Sequence, residues 1–207
     1  MRKKFLLGLT TFVVAFVILS VSVMESSSIS YVFATPIPAN TTDIKTPTIE
    51  YNIPYTGKVS PDSPLWFLKA LRDKVWYMST SSHLKKAEMA LLFSDKRLIA
   101  SKTLFESKKP DIAFSTLTKG EKYLEIATIE EGIARKEGTD TTEFVNKLAI
   151  ASLKHRQIIE ELLPITPEDA KPEIIKIEDY AKNTYKYCRD VLNSKGMTSP
   201  KNPFDGD

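Results

Sequence analysis

The sequence of 207 residues has few of the side chains on which most enzymes depend. It contains one cysteine, two histidines and seven glycines. A single cysteine cannot form an internal disulfide, two imidazoles leave few choices for a catalytic base or a metal site, and glycine-rich phosphate loops are missing. We therefore expect no catalytic residue, no cofactor and no metal ligand in this chain.

The basic and acidic side chains are nearly balanced, and this balance does not point to a nucleic-acid partner. The chain has 29 basic and 26 acidic side chains, a formal net charge of +3. Nucleic-acid-binding proteins usually carry a dense basic stripe with aromatic residues interleaved. The lysines here are scattered along a predicted helix, so we expect them to form a solvated helix face.

The one long apolar run lies at the N-terminus and determines the predicted compartment. Basic residues at positions 2–4 precede a largely apolar segment at 5–24, as in an export signal or a membrane anchor. Small residues end a cleavage pattern at Ala34, so we expect residues 1–34 to be removed as a signal peptide. The run is also long enough to span a bilayer, and a retained anchor stays open. In both cases the rest of the chain faces outward, either secreted or held at the outer face of the cytoplasmic membrane.

The remaining chain divides into a linker, a domain and a tail. Six of the twelve prolines lie within residues 36–64, and no amphipathic period occurs there, so residues 35–63 are predicted to form an extended proline-rich linker. Beyond it, apolar residues recur at spacings of three and four. This spacing predicts an all-α domain over residues 64–196, followed by a polar tail at 197–207.

The domain is predicted to be an antiparallel bundle of about five helices. Ser63-Pro64 is a start signal for the first helix, and Gly138 is a stop signal for the third. Pro172 would clash with a preceding helical turn, so the fifth helix should restart there. The expected spans are about 64–79, 82–108, 111–136, from a capping box at 140–143 to about 163, and 174–195.

The apolar spacings also predict which helix faces are buried. The second helix has a coiled-coil-like seam with an interval of seven, formed by Leu84, Leu91, Leu98 and Phe105. The third helix has a stripe rich in small residues, where a neighbouring helix can approach closely, formed by Ala113, Leu117, Gly120, Leu124 and Ala127. Cys188 lies on the apolar stripe of the fifth helix and should pack as a small hydrophobe.

The first helix has more apolar surface than one face can hold. Four residues form one face: Leu68, Leu71, Val75 and Met78. Four aromatic residues extend the apolar surface around the helix: Trp66, Phe67, Trp76 and Tyr77. We expect a core helix that packs on the other four. The alternatives are that the four aromatic residues form an interaction surface, or that the helix lies at a membrane interface.

The two histidines are the remaining candidates for chemistry. His155 lies on the apolar stripe of the fourth helix and has no ligand-type residue at the adjacent helical positions, so we expect a buried, structural histidine with a polar partner. A metal or stress sensor would need carboxylates from other helices near His155 or His83. Adjacent carboxylates such as Glu130-Glu131 point about 100° apart and are expected to solvate the outer face.

Several segments together resemble a known family. They are PDSPLWFLK at 61–69, KKAE at 85–88, KRL at 96–98, EKYL at 121–124, KH at 154–155, EELL at 160–163 and PEDAKP at 167–172. In these segments the chain is similar to a bacterial family of helical domains of unknown function, found outside the membrane behind signal peptides or single anchors. The resemblance covers roughly residues 60–190. It implies the fold and the compartment, and it implies no catalytic residues.

The sequence thus predicts a non-catalytic, extracytoplasmic helical bundle that acts as an interaction or structural module of the cell envelope. Its expected partner is an envelope protein, with contact to the membrane through the N-terminal segment if that segment is retained. An envelope metal or stress sensor of the helical-bundle type is the alternative.

Overall fold

The computed structural model describes residues 32–33 and 46–204. This part of the chain confirms the predicted all-α fold: it contains helices and no strand. None of the helices in these ranges is long and apolar enough to cross a membrane. Apart from Val32 and Phe33, the predicted signal or anchor segment lies outside the described residues. The helices are α1 (Trp66–Ser79), α2 (His83–Glu106), α3 (Pro110–Lys136), α4 (Thr142–Leu162) and α5 (Lys171–Ser194), with a short 3-10 helix at Leu163–Ile165.

Helices α2 to α5 form an up-and-down bundle. His83 near the start of α2 contacts Glu130 near the end of α3, and Ser94 contacts Gly120 further along, so α2 and α3 run antiparallel. Arg156 near the end of α4 pairs with Glu178 near the start of α5, and Asp140 just before α4 pairs with Lys195 just after α5, so α4 and α5 also run antiparallel. The largest fully buried side chains of the described residues all belong to these four helices.

The end of α3 and the start of α5 follow the glycine and proline signals, whereas α1 begins at Trp66, after the predicted start at Ser63-Pro64, with Leu65 at its N-cap position and no side-chain cap. Gly138, with φ of 86°, follows the last turn of α3, and its N–H donates to the carbonyl of Arg135 at 3.1 Å. The Asp140 side chain accepts the N–H of Thr142 at 3.1 Å where α4 begins. Pro172 lies in the first turn of α5, where its missing N–H has no helical partner to lose.

Gly120 allows α2 and α3 to approach closely. The Ser94 hydroxyl donates to the Gly120 carbonyl at 2.8 Å. A Cβ atom on Gly120 would lie 3.1 Å from the Cβ atom of Arg97 and 3.5 Å from the backbone nitrogen of Leu98. All five residues of the predicted small-residue stripe are buried, which confirms the predicted close approach.

The predicted linker and the predicted tail both contact the helices of the bundle. Ile49 in the linker is hydrogen-bonded to α4 through its backbone, and the Tyr51 hydroxyl donates to buried Asp95 at 2.8 Å. Phe204 in the tail is buried, with the Arg156 guanidinium 4.4 Å from its ring centre. These side chains cover apolar surface of the helix cluster that would otherwise be exposed.

The prediction that α1 is a core helix is wrong. Its single buried residue is Asp73. Leu68, Leu71 and Val75, which were expected to pack on the other helices, are exposed. The physical reason is that α2 to α5 already enclose the core, so α1 lies against the outside of the bundle.

We predict that Gly120→Leu lowers the free energy of unfolding by about 1 to 3 kcal/mol, because the new side chain must displace Arg97 and the α2 backbone. Urea unfolding measures the change. Lys119→Leu places the same side chain at the next, exposed position and should change stability by less than about 0.5 kcal/mol. Equal stability of the two variants would contradict the close contact of α2 and α3.

Candidate functional site

Arg97 of α2 determines how α1 lies on the bundle. This buried guanidinium lies 4.4 Å from the ring centre of Tyr123 and 5.9 Å from that of Trp66 in α1, and it donates to the Phe93 carbonyl at 3.2 Å. Burial lowers the pKa of Arg97, while Tyr123 and then Asp73 oppose that change. Asp73 of α1 is buried on the side that faces the bundle, where its charge stabilises the Arg97 cation, although its direct ion pair is with Arg72 at 2.6 Å.

As a result, α1 turns its apolar face to solvent. Its inward side carries Trp66, Asp73 and Tyr77, which recur at helical spacing. The outward side has six apolar residues with exposed fractions between 44% and 71%: Leu65, Leu68, Leu71, Val75, Trp76 and Met78. We call these six residues the α1 stripe. Exposed Arg72 lies among these residues on the same side of the helix, and a cluster of exposed apolar side chains is typical of an interaction site.

The four aromatic residues predicted as an interaction surface do not form one surface. Trp76 is 52% exposed and belongs to the α1 stripe, and its ring also makes an edge-to-face contact with Phe93 of α2, with 6.5 Å between the ring centres. Trp66 lies against the bundle, Phe67 is half-buried, and the Tyr77 hydroxyl donates to Glu130 at 2.5 Å. Most of the candidate surface therefore consists of the aliphatic residues that the sequence analysis had placed in the core.

A basic pocket adjoins the N-terminal end of the α1 stripe. It lies between residues 55–59 and α1, with a volume of about 530 Å³. In the part of the chain that the structure describes, no carboxylate lines it. Its lining includes four cationic side chains, Lys58, Lys69, Arg72 and Lys96, together with the stripe residues Leu65 and Leu68.

The second candidate centre is a buried charged cluster around His155. The Nδ1 atom of His155 lies 2.7 Å from Glu121 Oε1, and the Nε2 atom lies 3.0 Å from Asp95 Oδ1. His155 and Glu121 are 0% exposed, and the Tyr51 hydroxyl donates to the other oxygen of Asp95. The prediction that His155 is buried with a polar partner is confirmed, and the partners are two carboxylates from α2 and α3.

This geometry favours an imidazolium. Both ring nitrogens of His155 face carboxylate oxygens, which accept hydrogen bonds when ionised, so both nitrogens are placed to donate. Burial alone lowers the pKa of His155, but the charge of Glu121 and the hydrogen bonds to both carboxylates raise it from 6.5 to about 10. The cluster is therefore a cation held between two anions inside the bundle.

The carboxylates of this cluster were missed, although the sequence contains a signal for them. Asp95 is four residues after Leu91 and three before Leu98, and Glu121 has the same spacing within the third helix. Both therefore lie on apolar seams. A carboxylate on a buried seam needs a buried cation or several donors, because ionised groups are rarely buried alone.

A third polar cluster joins α3 to its neighbours. The expectation that Glu131 solvates an outer face is wrong: it is fully buried, and it accepts hydrogen bonds from the hydroxyls of Thr141 and Tyr187 and from Arg135. These donors satisfy its charge. Nearby Cys188 is buried as predicted, and burial together with the charge of Glu131 raises the pKa of its thiol.

His83 lies in a half-exposed position between α1 and α3. Its Nδ1 atom is 2.6 Å from Glu130 Oε2, and its Nε2 atom is 3.6 Å from Glu137 Oε1. Both histidines of the chain thus face two carboxylates from other helices. Even so, the described residues contain no group of three or more histidine, cysteine or acidic side chains arranged to hold a metal ion.

A comparison with protein families matches residues 58–169 to a domain of unknown function, DUF5667. The chain belongs to the DUF5667 family. The match begins at Lys58 in the pocket-lining segment and ends at Asp169, between the 3-10 helix and α5, so the DUF5667 region contains the four cations of the basic pocket, the α1 stripe and the three residues of the His155 cluster. The predicted resemblance to a family of unknown function is confirmed to that extent. No curated protein and no solved structure matches the chain significantly.

We predict that His155→Ala lowers the free energy of unfolding by about 3 to 5 kcal/mol, because it leaves two buried carboxylates without their cation. Urea unfolding of the wild type and the variant measures this loss. Thermal unfolding of the wild type with and without zinc or copper then tests whether His155 binds a metal. We expect no change in Tm on adding either metal. A rise in Tm that the alanine variant abolishes would contradict a purely structural role.

The raised pKa of His155 predicts a pH dependence. Its contribution to stability should be complete below pH 6.5 and should be lost as the pH rises toward 10, at about 1.4 kcal/mol per pH unit. Urea unfolding over this range compares the wild type with His155→Gln, which lacks the titrating group and should lack this slope. A ring signal assigned to His155 in the His83→Ala variant that titrates with a midpoint near 6.5 would contradict the buried imidazolium.

Proposed function

We propose that the protein is a non-catalytic, extracytoplasmic helical module that acts by binding, and that the α1 stripe is its binding surface. The observation that carries the proposal is the orientation of α1, which leaves the six apolar residues of the stripe at least 44% exposed and directs a carboxylate to the bundle. The extracytoplasmic placement rests on the basic and apolar N-terminal segment of the sequence.

Packing of α1 on the bundle does not require apolar residues on its outward side. The inward side of α1 is fixed by Arg97, which leaves the outward positions free to be polar. Burying a Leu, Val or Met side chain fully is worth roughly 1.5 to 3 kcal/mol, and the stripe residues forgo much of that gain in the isolated domain. Apolar residues at these positions are therefore consistent with a surface that is covered by a partner.

The environments of the histidines support a non-catalytic role. Nucleophilic catalysis needs a base with access to a nucleophile and a substrate. Both ring nitrogens of His155 face carboxylates in a fully buried cluster, so this imidazole has no access to a substrate. His83 also has a carboxylate near each ring nitrogen, Glu130 at 2.6 Å and Glu137 at 3.6 Å.

A metal or stress sensor is the second candidate function. It is favoured by one observation: each histidine faces two carboxylates contributed by other helices. The exposed side of the His83 cluster would be the point of entry for a cation. The thermal-unfolding experiment with zinc and copper tests this candidate, with His83→Ala as the matching variant.

We predict that the α1 stripe is covered in the cell. A photoreactive amino acid at Val75 of the full chain should form adducts in intact cells on irradiation, whereas the same amino acid at exposed Asn183 on α5 should form few. The triple variant L68S/L71S/V75S should retain its stability within about 1 kcal/mol, because these residues are exposed.

If Val75 gives no more adducts than Asn183, the stripe is not a docking surface. If the triple variant unfolds several kcal/mol more easily, the stripe contributes to the core and the proposed role of α1 fails.

A further inference from the structure

The basic pocket and the α1 stripe are continuous. Leu65 and Leu68 belong to both, so the apolar surface leads directly into a cleft with four cationic side chains. Lys74, also exposed, flanks the stripe on the side of α1 away from Lys69. Trp76 lies at the edge of the stripe, where its ring contacts Phe93 of α2. A helix with an apolar face bordered by lysine, arginine and tryptophan is typical of segments that lie in a membrane interface.

The cations of the pocket are poorly neutralised. Among the described residues, neither Lys58 nor Lys96 has an ion-pair partner. Lys69 donates to the carbonyl oxygens of Thr56 and Val59 at 2.8 and 3.3 Å, which fixes its ammonium group in the pocket. These acceptors are neutral, and the ammonium group also lies 4.6 Å from the ring centre of Trp66, so the positive charge is held in place with no carboxylate paired to it.

Arg72 and Lys69 also carry positive charge in the pocket that is only partly neutralised. Arg72 pairs with Asp73 at 2.6 Å, but its own side chain is exposed and keeps further N–H donors. Burial and the neighbouring cations Lys96, Arg72 and Arg97 lower the pKa of Lys69, against the opposing charge of Asp73. An anion in the pocket would relieve this repulsion.

We propose that the basic pocket and the α1 stripe together bind the surface of a bilayer that contains anionic phospholipids. The lipid phosphate occupies the pocket between Lys58, Lys69 and Lys96, and the stripe inserts among the acyl chains next to it. This inference rests on the proposed docking function of the stripe and names its partner.

Charge and chain connectivity favour a bilayer over a second copy of the chain. Two stripes packed face to face in parallel would bring two sets of pocket cations together. In antiparallel packing, each set of cations would lie beside the far end of the other stripe, and neither the stripe nor the pocket lining contains a carboxylate to pair with them. The apolar run at 5–24 precedes α1 by about 40 residues, and an extended chain spans up to about 3.5 Å per residue. If that run is retained as an anchor, α1 is tethered within reach of the bilayer surface.

The chain contains its own probe for this contact. Its two tryptophans, Trp66 and Trp76, both lie in α1, so tryptophan fluorescence reports on this helix alone. The full chain is mixed with vesicles of phosphatidylcholine, with or without phosphatidylglycerol, whose acyl chains carry bromine. We expect bromine quenching in the anionic vesicles and little in the neutral ones, with loss of the quenching at high salt.

Matched variants separate the pocket from general positive charge. K58Q/K96Q removes the two unpaired pocket cations and should weaken the quenching-detected binding about tenfold or more. K119Q/K122Q removes the same charge from exposed positions on α3 and should have little effect. L68S/V75S should abolish the quenching, and circular dichroism checks that all variants keep their helices.

Equal quenching in neutral and anionic vesicles, no quenching, or equal effects of the two lysine pairs would overturn the lipid assignment. Dimerisation without vesicles that L68S/V75S abolishes would also overturn it, in favour of a second copy. If Val75 forms adducts with a protein and the lipids cause no quenching, the docking function of the α1 stripe is supported and only the bilayer as its partner is contradicted. Absence of both adducts and quenching would remove both proposals.

Discussion

The burial of Arg97 is the constraint on which the functional surface depends. Its side chain lies across Tyr123 where α2 and α3 approach closely at Gly120, and a cation in such a position requires nearby aromatic rings and a carboxylate. Helix α1 supplies both in Trp66 and Asp73. Once these two residues face the bundle, helical geometry directs the opposite side of α1 to solvent, and that side is the apolar one.

The helices of the bundle were predictable because their ends are marked by residues with strong backbone preferences. Gly138 and Pro172 act through local conformation and hydrogen bonding, which do not depend on the rest of the fold. The orientation of α1 was not predictable in the same way. Apolar spacing identifies a face, but it does not show whether α2 to α5 have already closed their core, or that Arg97 requires Asp73.

The site around His155 was predictable in part, for a related reason. Its position on an apolar stripe indicates burial, and burial of an imidazole requires hydrogen-bond partners. Asp95 and Glu121 come from other helices, and their seam positions become informative only when the pairing of helices is known. The same limitation explains Glu131, whose donors Thr141 and Tyr187 lie in a loop and in α5.

The way in which α1 is held bears on how it would bind. A free amphipathic helix loses conformational entropy when it docks, which weakens its affinity. Contacts of Trp66 with Arg97 and of Tyr77 with Glu130 hold both ends of α1 on the bundle before any partner arrives. The stripe and the pocket cations therefore keep one relative arrangement, so their contributions to binding can act together. The charged contacts beneath α1 thus order the apolar surface above them.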